Sequence, residues 1–398
     1  MTTQFDPFSP KLKQDPYSIY KYFRQNDPVH WGKPIKPKLP GAWYLFHYED
    51  VVSFLNSSLF ARASSESKTE SQKSTGVDSA SSLRKRWLFS LDPPEHGQIK
   101  SLIIPAFQAR SVENYRSHIS QRITEIITSL SPPVQIDFVK DFAFPITTRI
   151  IADLLGIAET ELSQFQIWSK KIADGIALQN DPQAIAQADE ATKQLANYFR
   201  RTIKERETIN TQLLPEKAQE FLTEKDLVAH LVQFIFAGIE STSNLIANSL
   251  LCLFRFPEQH NLLRQNPELI PQAVEEFLRF ESPTQTTAAR TCLEKVTING
   301  REILPGQKVI AVLGSANRDE KIFINPEQLD ITREPNPHIA FGQGIHFCLG
   351  IHLSRLEVQQ VYKQLFQNYA SIAPIPYSLS WRSNWVIRGL HSLPIRLN

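Results

Sequence analysis

The amino-acid sequence predicts a mainly α-helical protein with small β-sheets, organised as a single domain over residues 1–398. Residues 110–222 carry Ile, Leu and Ala at helical spacing, with breaks at the prolines of 131–133 and 180–182. Residues 223–256 continue one uninterrupted helical pattern. Strand signals are short by comparison, and no internal repeat is visible.

Composition limits the possible partners and compartment. Hydrophobic residues make up 41% of the chain, enough for a large core, and the formal charge of +2 predicts neither nucleic acid nor an acidic membrane as partner. Cys252, Cys292 and Cys348 are widely spaced and odd in number, without disulfide or metal spacing, which fits a reducing cytoplasm. No stretch has the apolar length of a signal peptide or membrane span. We therefore expect a soluble, cytoplasmic protein.

The first hundred residues predict mixed structure. Residues 42–46 indicate a strand, and residues 48–55 indicate the start of a helix. Residues 62–86 are rich in Ser, Lys, Glu and Thr, a composition typical of a surface loop. Two prolines then open a helix on which His96 and Lys100 share one face at spacing i, i+4.

The long pattern over 223–256 predicts a helix about 50 Å in length. Thr223 and Asp226 indicate a capping box at its start, and Pro257 ends it. Its centre contains Gly238, although a glycine costs about 1 kcal/mol in a helix interior. Glu240 is also costly inside an apolar helix unless it is paired. Two such faults together indicate a site; the alternative is a kinked structural helix with Glu240 at the surface.

Three later segments carry local signals. Glu276 and Arg279 share one helical face at spacing i, i+3, which by itself is a weak signal. Residues 296–303 predict a β-hairpin that turns at Asn299-Gly300. Residues 308–313 predict a further strand.

The segment FGQGIHFCLG, residues 341–350, delivers a cysteine to the start of a predicted helix. Gly342 and Gly344 permit a positive φ and close backbone approach. Unpaired N–H groups and the dipole at a helix N-terminus favour a thiolate at Cys348, which can hold a metal. The alternative is an inert buried cysteine in a glycine-rich turn.

This segment resembles the haem-binding loop of the cytochromes P450, and further motifs follow over nearly the whole chain in that family's order. The resemblance implies the cytochrome P450 fold, with haem b between the long central helix and the cysteine loop. It makes Cys348 the axial ligand of the haem iron, and thiolate ligation favours cleavage of the O–O bond.

The resemblance also implies the cofactor-binding residues. Those of the loop and the central helix are Phe341, Gly342, Cys348, Gly350, Ala237 and Gly238. Those expected at the haem propionates are His96, Lys100, Arg290 and His346. Lys100 departs from the usual arginine and offers a point charge instead of a planar fork.

Catalytic and structural roles follow from the same resemblance. Glu240 and Ser241 would relay protons during oxygen activation; Ser241 departs from the family's usual threonine, and Thr242 offers another hydroxyl. The structural triad is Glu276, Arg279 and Arg333, which would hold the segment that leads to the cysteine loop. The substrate pocket would include Phe236, Thr286, Thr287 and Trp385, with the 62–86 loop covering it. The alternative for Trp385 is a core position, which is at least as common for an aromatic there.

The implied function is monooxygenation of a small apolar organic substrate, by hydroxylation or epoxidation with O2, as in secondary metabolism. Electrons would come from a ferredoxin and its NAD(P)H-dependent reductase, with Lys100 and Arg355 as candidates for docking the donor. One alternative is a peroxide-dependent or isomerising haem-thiolate enzyme, which has less need of a Glu240/Ser241 relay. Another is a haem-binding sensor or carrier, for which that pair has no purpose.

Overall fold

Helices dominate the computed structural model, which describes residues 4–36, 39–62, 79–206, 213–376 and 378–398. The first eight helices of these ranges are α1 (Pro10–Gln14), α2 (Pro16–Asn26), α3 (Tyr48–Asn56), α4 (Ala80–Lys85), α5 (Glu95–Phe107), α6 (Ala109–Glu113), α7 (Arg116–Ser129) and α8 (Phe144–Leu155). The next are α9 (Leu162–Ala177), α10 (Pro182–Arg206), α11 (Glu216–Phe221), α12 (Glu224–Arg255), α13 (Pro257–Gln265), α14 (Ile270–Phe280), α15 (Leu313–Ala316) and α16 (Ile351–Asn368).

The strands are short and form small sheets beside the helical body. They are β1 (Val29–Gly32), β2 (Ala42–Leu45), β3 (Phe60–Ala61), β4 (Val134–Asp137), β5 (Arg290–Cys292), β6 (Val296–Ile298), β7 (Arg301–Ile303), β8 (Lys308–Ala311), β9 (Ile372–Pro374) and β10 (Pro394–Leu397). The largest described sheet has the order β1-β2-β8-β5-β3, with β2 and β8 parallel. A second sheet has the order β4-β10-β9, and β6 pairs with β7.

The central helix α12 has 32 residues, so it is about 48 Å long and crosses the molecule. It begins as predicted, because the Thr223 side chain accepts a hydrogen bond from the Asp226 N–H at 3.2 Å. Phe256 caps its end, immediately before Pro257. Most of its side chains are buried against α8, α9 and α16. The helix is therefore the scaffold around which the other helices pack.

Most of the other local predictions agree with the structure. The hairpin turns at Asn299 and Gly300, which have φ values of 44° and 75° and so fit a type I′ turn. The strand predicted over 308–313 ends earlier, at Ala311, because Leu313 begins α15. The prediction of a loop over 62–86 is wrong for its last residues, which form α4. The Ser79 side chain caps this helix by accepting a hydrogen bond from the Ser82 N–H. Residues 63–78 of that predicted loop lie outside the described residues.

Glu276 on α14 organises the segment that precedes the cysteine loop. Its carboxylate accepts from Arg279 Nε and Nη2, each at 2.7 Å, and from Arg333 Nε at 3.1 Å. The Asp330 N–H and the Asn336 side chain donate to the same carboxylate. Glu276 and Arg279 are fully buried, so the structure brings the predicted triad together in the interior.

No helix in the described parts of the chain is both long enough and apolar enough to span a membrane.

We expect Glu276→Ala to destabilise the protein by about 3–5 kcal/mol, because it leaves the buried Arg279 guanidinium without its counter-charge. Guanidinium denaturation would measure the loss. Glu334→Ala is the matched control, since Glu334 is exposed on the same segment as Arg333. Equal stability of the two variants would contradict a central role for the triad.

Candidate functional site

A cavity of about 370 Å³ lies between the central helix α12 and the cysteine loop, residues 341–350. Its wall on the helix side includes Phe236, Ala237, Gly238, Ser241 and Thr242. On the loop side it includes Phe341, Gly342, His346, Cys348 and Gly350. Four further residues predicted from the sequence also line the cavity: His96, Lys100, Thr286 and Thr287. Separate parts of the sequence therefore meet at this cavity.

The cysteine loop needs its glycines. Gly342 and Gly344 have φ values of 72° and 71°, in the left-handed region that favours glycine. A Cβ on Gly344 would lie 2.5 Å from the Leu55 carbonyl oxygen, so the close approach to α3 also requires the missing side chain. The Cys348 N–H donates to the Phe341 carbonyl at 3.1 Å, which closes the loop on itself. Cys348 is exposed on the cavity wall, and α16 begins at Ile351.

The surroundings of the sulfur have opposing electrostatic effects. Desolvation raises the pKa of the Cys348 thiol, whereas a backbone hydrogen bond from Gly350 and the charges of Lys100 and Arg355 lower it. The net direction is upward, so these protein groups alone do not hold a thiolate. A metal cation at the sulfur would supply the missing stabilisation.

The central helix presents small residues to the cavity. Ala237 is exposed there, although its neighbour Phe236 is buried. A Cβ on Gly238 would lie 2.5 Å from Ile151 Cδ1, so any side chain here would displace Ile151 where α12 packs against α8. The Ser241 hydroxyl donates to the Ala237 carbonyl at 2.8 Å, and the Thr242 hydroxyl lies 3.3 Å from Ser354 Oγ on α16.

Glu240 is buried and does not lie on the cavity wall. Its Oε2 accepts from Arg382 Nη1 at 2.6 Å, and Arg382 Nη2 donates to Asp174 Oδ1 at 2.9 Å. Its Oε1 has no hydrogen-bond partner among the described residues. Burial raises the pKa of Glu240, and the adjacent Arg382 opposes that rise. The side chain of Asp174 is 32% exposed, so the network runs from the central helix to solvent.

Sequence reasoning missed Arg382 and Asp174. Arg382 lies 142 residues from Glu240 along the chain, in an irregular segment after β9. A buried carboxylate on a predicted helix signals that a cation must be near, but it does not say which one.

Basic and imidazole side chains gather at one end of the cavity. The rings of His96 and His346 lie 4.5 Å apart, centroid to centroid. Arg290 is buried, and its Nη1 donates to the Leu55 carbonyl at 3.2 Å. Lys100 Nζ donates to the Ile345 carbonyl at 2.5 Å. Burial lowers the pKa of His96, Arg290 and Lys100, and positive neighbours add to this effect at His96.

Several buried donors at this end of the cavity lack acceptors. Arg290 Nε and Nη2 and His346 Nδ1 have no hydrogen-bond partner among the described residues. Buried polar atoms are normally paired, so these atoms call for an acceptor from outside the chain. The two propionates of haem b are such acceptors, and Cys348, which can bind the iron, lines the same cavity as the small residue Ala237. The residues present therefore fit the haem that the resemblance implies.

The structure places three of the four predicted pocket residues, Phe236, Thr286 and Thr287, on the wall of the cavity. Phe236 stacks on Trp87 at 5.7 Å between ring centroids, and the Thr287 hydroxyl accepts from the Ala311 N–H at 3.1 Å. Thr286 is buried on the cavity wall, and its Oγ1 has no partner among the described residues.

The assignment of Trp385 to the pocket is wrong. Its Nε1 donates to the Ala177 carbonyl at 2.8 Å, and its ring packs on Tyr44 at 6.5 Å between centroids. The half-buried indole therefore packs against the cluster around Tyr44 and does not line the cavity. The next two residues, Val386 and Ile387, lie on the cavity wall instead.

The two candidate docking residues make internal contacts. Arg355 Nε donates to Glu275 Oε1 at 2.7 Å, and its guanidinium lies 5.2 Å from the centroid of the Phe341 ring. Lys100 is occupied by the Ile345 carbonyl. Both side chains therefore make contacts that stabilise the cysteine loop, in addition to any role in binding a partner protein.

Comparisons with known proteins point to one family. A family model for Cytochrome P450 matches residues 177–375. The biotin biosynthesis cytochrome P450 of Bacillus subtilis (strain 168) is 33% identical over 401 residues, which cover 99% of each chain. The polyketide biosynthesis cytochrome P450 PksS of the same organism is 33% identical over 405 residues, covering 99% of this chain and 98% of that protein.

A solved structure gives the same result for the fold. The crystal structure of P450BioI in complex with acyl carrier protein ligated to hexadec-9Z-enoic acid matches with a TM-score of 0.89 at 33% identity. The match covers 98% of this chain and 99% of that one. The predicted fold class is therefore confirmed.

Glu357 on α16 is a further cavity residue that sequence reasoning missed. Its side chain is 1% exposed, and its Oε2 has no partner among the described residues. Burial raises the pKa of Glu357 well above its ordinary value of 4.5. A neutral carboxyl is therefore the form that the folded protein favours.

We expect the stability difference between Glu357→Gln and the wild type to change with pH. The folded pKa is raised, so the stabilisation that Glu357 contributes is complete below pH 4.5 and is lost as pH rises towards the folded pKa. A glutamine side chain does not titrate. Between the unfolded and the folded pKa of Glu357, the free energy of unfolding of the variant should therefore rise relative to wild type by about 1.4 kcal/mol for each pH unit. Denaturation of the haem-loaded proteins at pH 5 and pH 8 measures this gain.

The matched control is Glu268→Gln, because Glu268 is exposed and its substitution should leave the pH dependence unchanged. A difference between Glu357→Gln and wild type that stays constant over this range would mean that Glu357 is ionised throughout in the folded protein.

Proposed function

The chain belongs to the cytochrome P450 family of haem b monooxygenases, and we propose that it hydroxylates or epoxidises an apolar organic substrate with electrons from a separate protein. The observation that carries the proposal is the position of Cys348, whose sulfur lies on the wall of a cavity opposite the small residues of α12. The unpaired donors of Arg290 and His346 at the edge of that cavity support it.

The chain's residues divide into those that hold the cofactor and those that move protons. We propose that Cys348 binds the iron and that His96, Lys100, Arg290 and His346 bind the propionates. When bound, haem b supplies the iron at which dioxygen is bound and activated. The remaining chemistry required of the protein is to exclude water, orient the substrate and deliver protons to the cavity.

We propose that Glu240 carries a proton on Oε1. Arg382 holds Oε2 at 2.6 Å, and burial raises the pKa of the carboxyl, so Oε1 is the atom available for a proton. Arg382 is a positioning residue, since a guanidinium does not give up its proton in proteins. Asp174, at the outer end of the network, is partly exposed and can exchange protons with solvent.

Ser241 would connect Glu240 to the cavity. Its hydroxyl donates to the Ala237 carbonyl at 2.8 Å, so its oxygen lone pairs can accept a hydrogen bond. To relay a proton, the hydroxyl would turn its own hydrogen into the cavity and pass it on while it accepts another. The small residues around it keep that oxygen on the cavity wall. Thr242 is the neighbouring hydroxyl, and it would act with Ser354 of α16, whose Oγ lies 3.3 Å away.

The cavity favours a flexible apolar substrate. Leu88, Phe89, Phe236, Val386 and Ile387 line it. One relative is named for polyketide biosynthesis, and another was solved with an acyl chain on a carrier protein. We propose that a long acyl or polyketide-like chain fills this space, and that the unpaired hydroxyl of Thr286 binds an oxygen of the substrate.

We further propose that a ferredoxin and its NAD(P)H-dependent reductase supply the electrons, and that the protein works in the cytoplasm. The three free cysteines are compatible with a reducing compartment.

Ligand titration of the purified ferric protein tests the substrate proposal. We expect a shift from low to high spin with long-chain acyl compounds, free or on an acyl carrier protein, because the chain fills the space beside the iron. Terpenoid, aromatic and peptide compounds complete the panel. Cys348→Ala should lack the ferrous–CO band of a thiolate complex. Persistence of that band would refute the ligand assignment, and a shift only with non-acyl compounds would refute the substrate class.

We expect Glu240→Gln to slow product formation by about 100-fold, because it removes the titrating carboxyl while keeping its shape. Haem content and the ligand-induced spin shift should remain normal, and less product should form for each NAD(P)H consumed. Glu258→Gln, an exposed site just after α12, is the control. Wild-type product formation in Glu240→Gln would exclude Glu240 from the proton path.

A further inference from the structure

Arg62 lies on the cavity wall at the same end as Lys100 and Arg290. It follows directly after the edge strand β3, and no motif in the sequence marks it. Its backbone N–H donates to both carboxylate oxygens of Asp92, at 2.9 and 3.0 Å. The start of the side chain is therefore fixed beside α5, which carries His96 and Lys100.

The guanidinium of Arg62 is only partly satisfied. Its Nη1 donates to the Ala288 carbonyl at 2.7 Å, which holds one end of the group against the segment leading to β5. Its Nε is buried and has no hydrogen-bond partner among the described residues. Arg290, two residues after Ala288, has the same deficiency at Nε and Nη2. Two guanidinium groups therefore present unpaired donors at one end of one cavity.

The electrostatics place Arg62 within this cluster. Burial and the charge of Arg290 lower the pKa of Arg62 to about 9, so the group remains a cation at neutral pH. Both arginines therefore attract an anion to this end of the cavity through their unpaired donors.

The charge balance identifies the anion. Arg62, Lys100 and Arg290 carry three positive charges, and Asp92 is the carboxylate that raises the pKa of both arginines. Within the described parts of the chain, these three cations and one carboxylate leave two positive charges at this end of the cavity. Haem b brings two carboxylates on one edge of its ring, and without Arg62 one of those charges would have no counter-charge.

We propose that Arg62 is a haem-propionate anchor, acting with Arg290 at the cavity edge through its unpaired Nε. This inference rests on the haem site proposed above. It adds to the four propionate residues a fifth, which follows the edge strand β3. Arg62 holds the cofactor and takes no part in the proton path.

Haem transfer from the ferric holoenzyme to excess apo-globin tests the proposal. Arg62→Gln should lose haem at least about tenfold faster than wild type, because a charge-assisted hydrogen bond is lost. Arg62→Lys should fall between the two, since it keeps the charge and loses the planar fork. Arg110→Gln, an exposed arginine on α6, is the matched control and should lose haem at the wild-type rate. A wild-type rate in Arg62→Gln would overturn the proposal.

Loading the proteins with haem dimethyl ester separates a direct contact from a structural effect. The ester has no carboxylates, so Arg62→Gln and wild type should then lose the cofactor at equal rates. The same acceleration with both cofactors would mean that Arg62 acts through the fold, and would overturn the proposal.

A third measurement addresses the other carboxylate source, the substrate. If Arg62→Gln keeps its haem but binds palmitic acid more weakly while binding of hexadecanol is unchanged, Arg62 is a substrate anchor and the proposal is wrong. Haem loss is measured without turnover. An inactive protein that still shows the Arg62 effect would therefore refute the proposed monooxygenation and leave this inference standing.

Discussion

The position of the cysteine loop depends on two adjacent carboxylates of α14. Glu276 is fully buried and is shared by Arg279 and Arg333, which fix the segment that enters the loop. Glu275, the preceding residue, pairs with Arg355 on the helix that leaves the loop. A buried ion pair contributes little net stability, but removing one partner is costly, so such a pair specifies one arrangement of the chain. The segments on both sides of the loop are therefore anchored to α14, and this anchoring fixes the position of the Cys348 sulfur.

Charge is separated across the cavity that this loop closes. Cations gather at one edge, where Arg290 is buried and keeps unpaired donors. The carboxylate of Glu240 lies on the far side of α12, turned towards Arg382 and away from the cavity wall. The cavity interior between them is largely apolar, apart from hydroxyls such as Thr286. A low-polarity interior strengthens every interaction with charge at its boundary, so an anionic edge of a flat cofactor can enter in one orientation only.

Features set by neighbours in the sequence were the ones that could be predicted. The bounds of α12 follow from Thr223 and Pro257, and the glycines of the cysteine loop have the positive φ values that the motif requires. Contacts between distant segments could not be predicted in this way. Arg382 reaches Glu240 across 142 residues, and no local pattern distinguishes it from a surface arginine. The family resemblance placed the segment of Trp385 at the pocket, but it could not say which of its side chains faces the cavity. Val386 and Ile387 line the cavity, whereas the Trp385 indole binds the Ala177 carbonyl.

The two irregular residues at the centre of α12 have different explanations. Gly238 costs about 1 kcal/mol in helix propensity, and the close packing of Ile151 against it gives a structural reason for the missing side chain. Glu240 is different, because Arg382 satisfies Oε2 while Oε1 stays buried and unpaired. An orphaned buried polar atom costs about 1–3 kcal/mol, and an apolar residue of similar size would avoid it. The ion pair with Arg382 explains a carboxylate at this position but leaves Oε1 without a partner among the described residues, so this one atom still needs a chemical reason, namely the proton that we propose it carries.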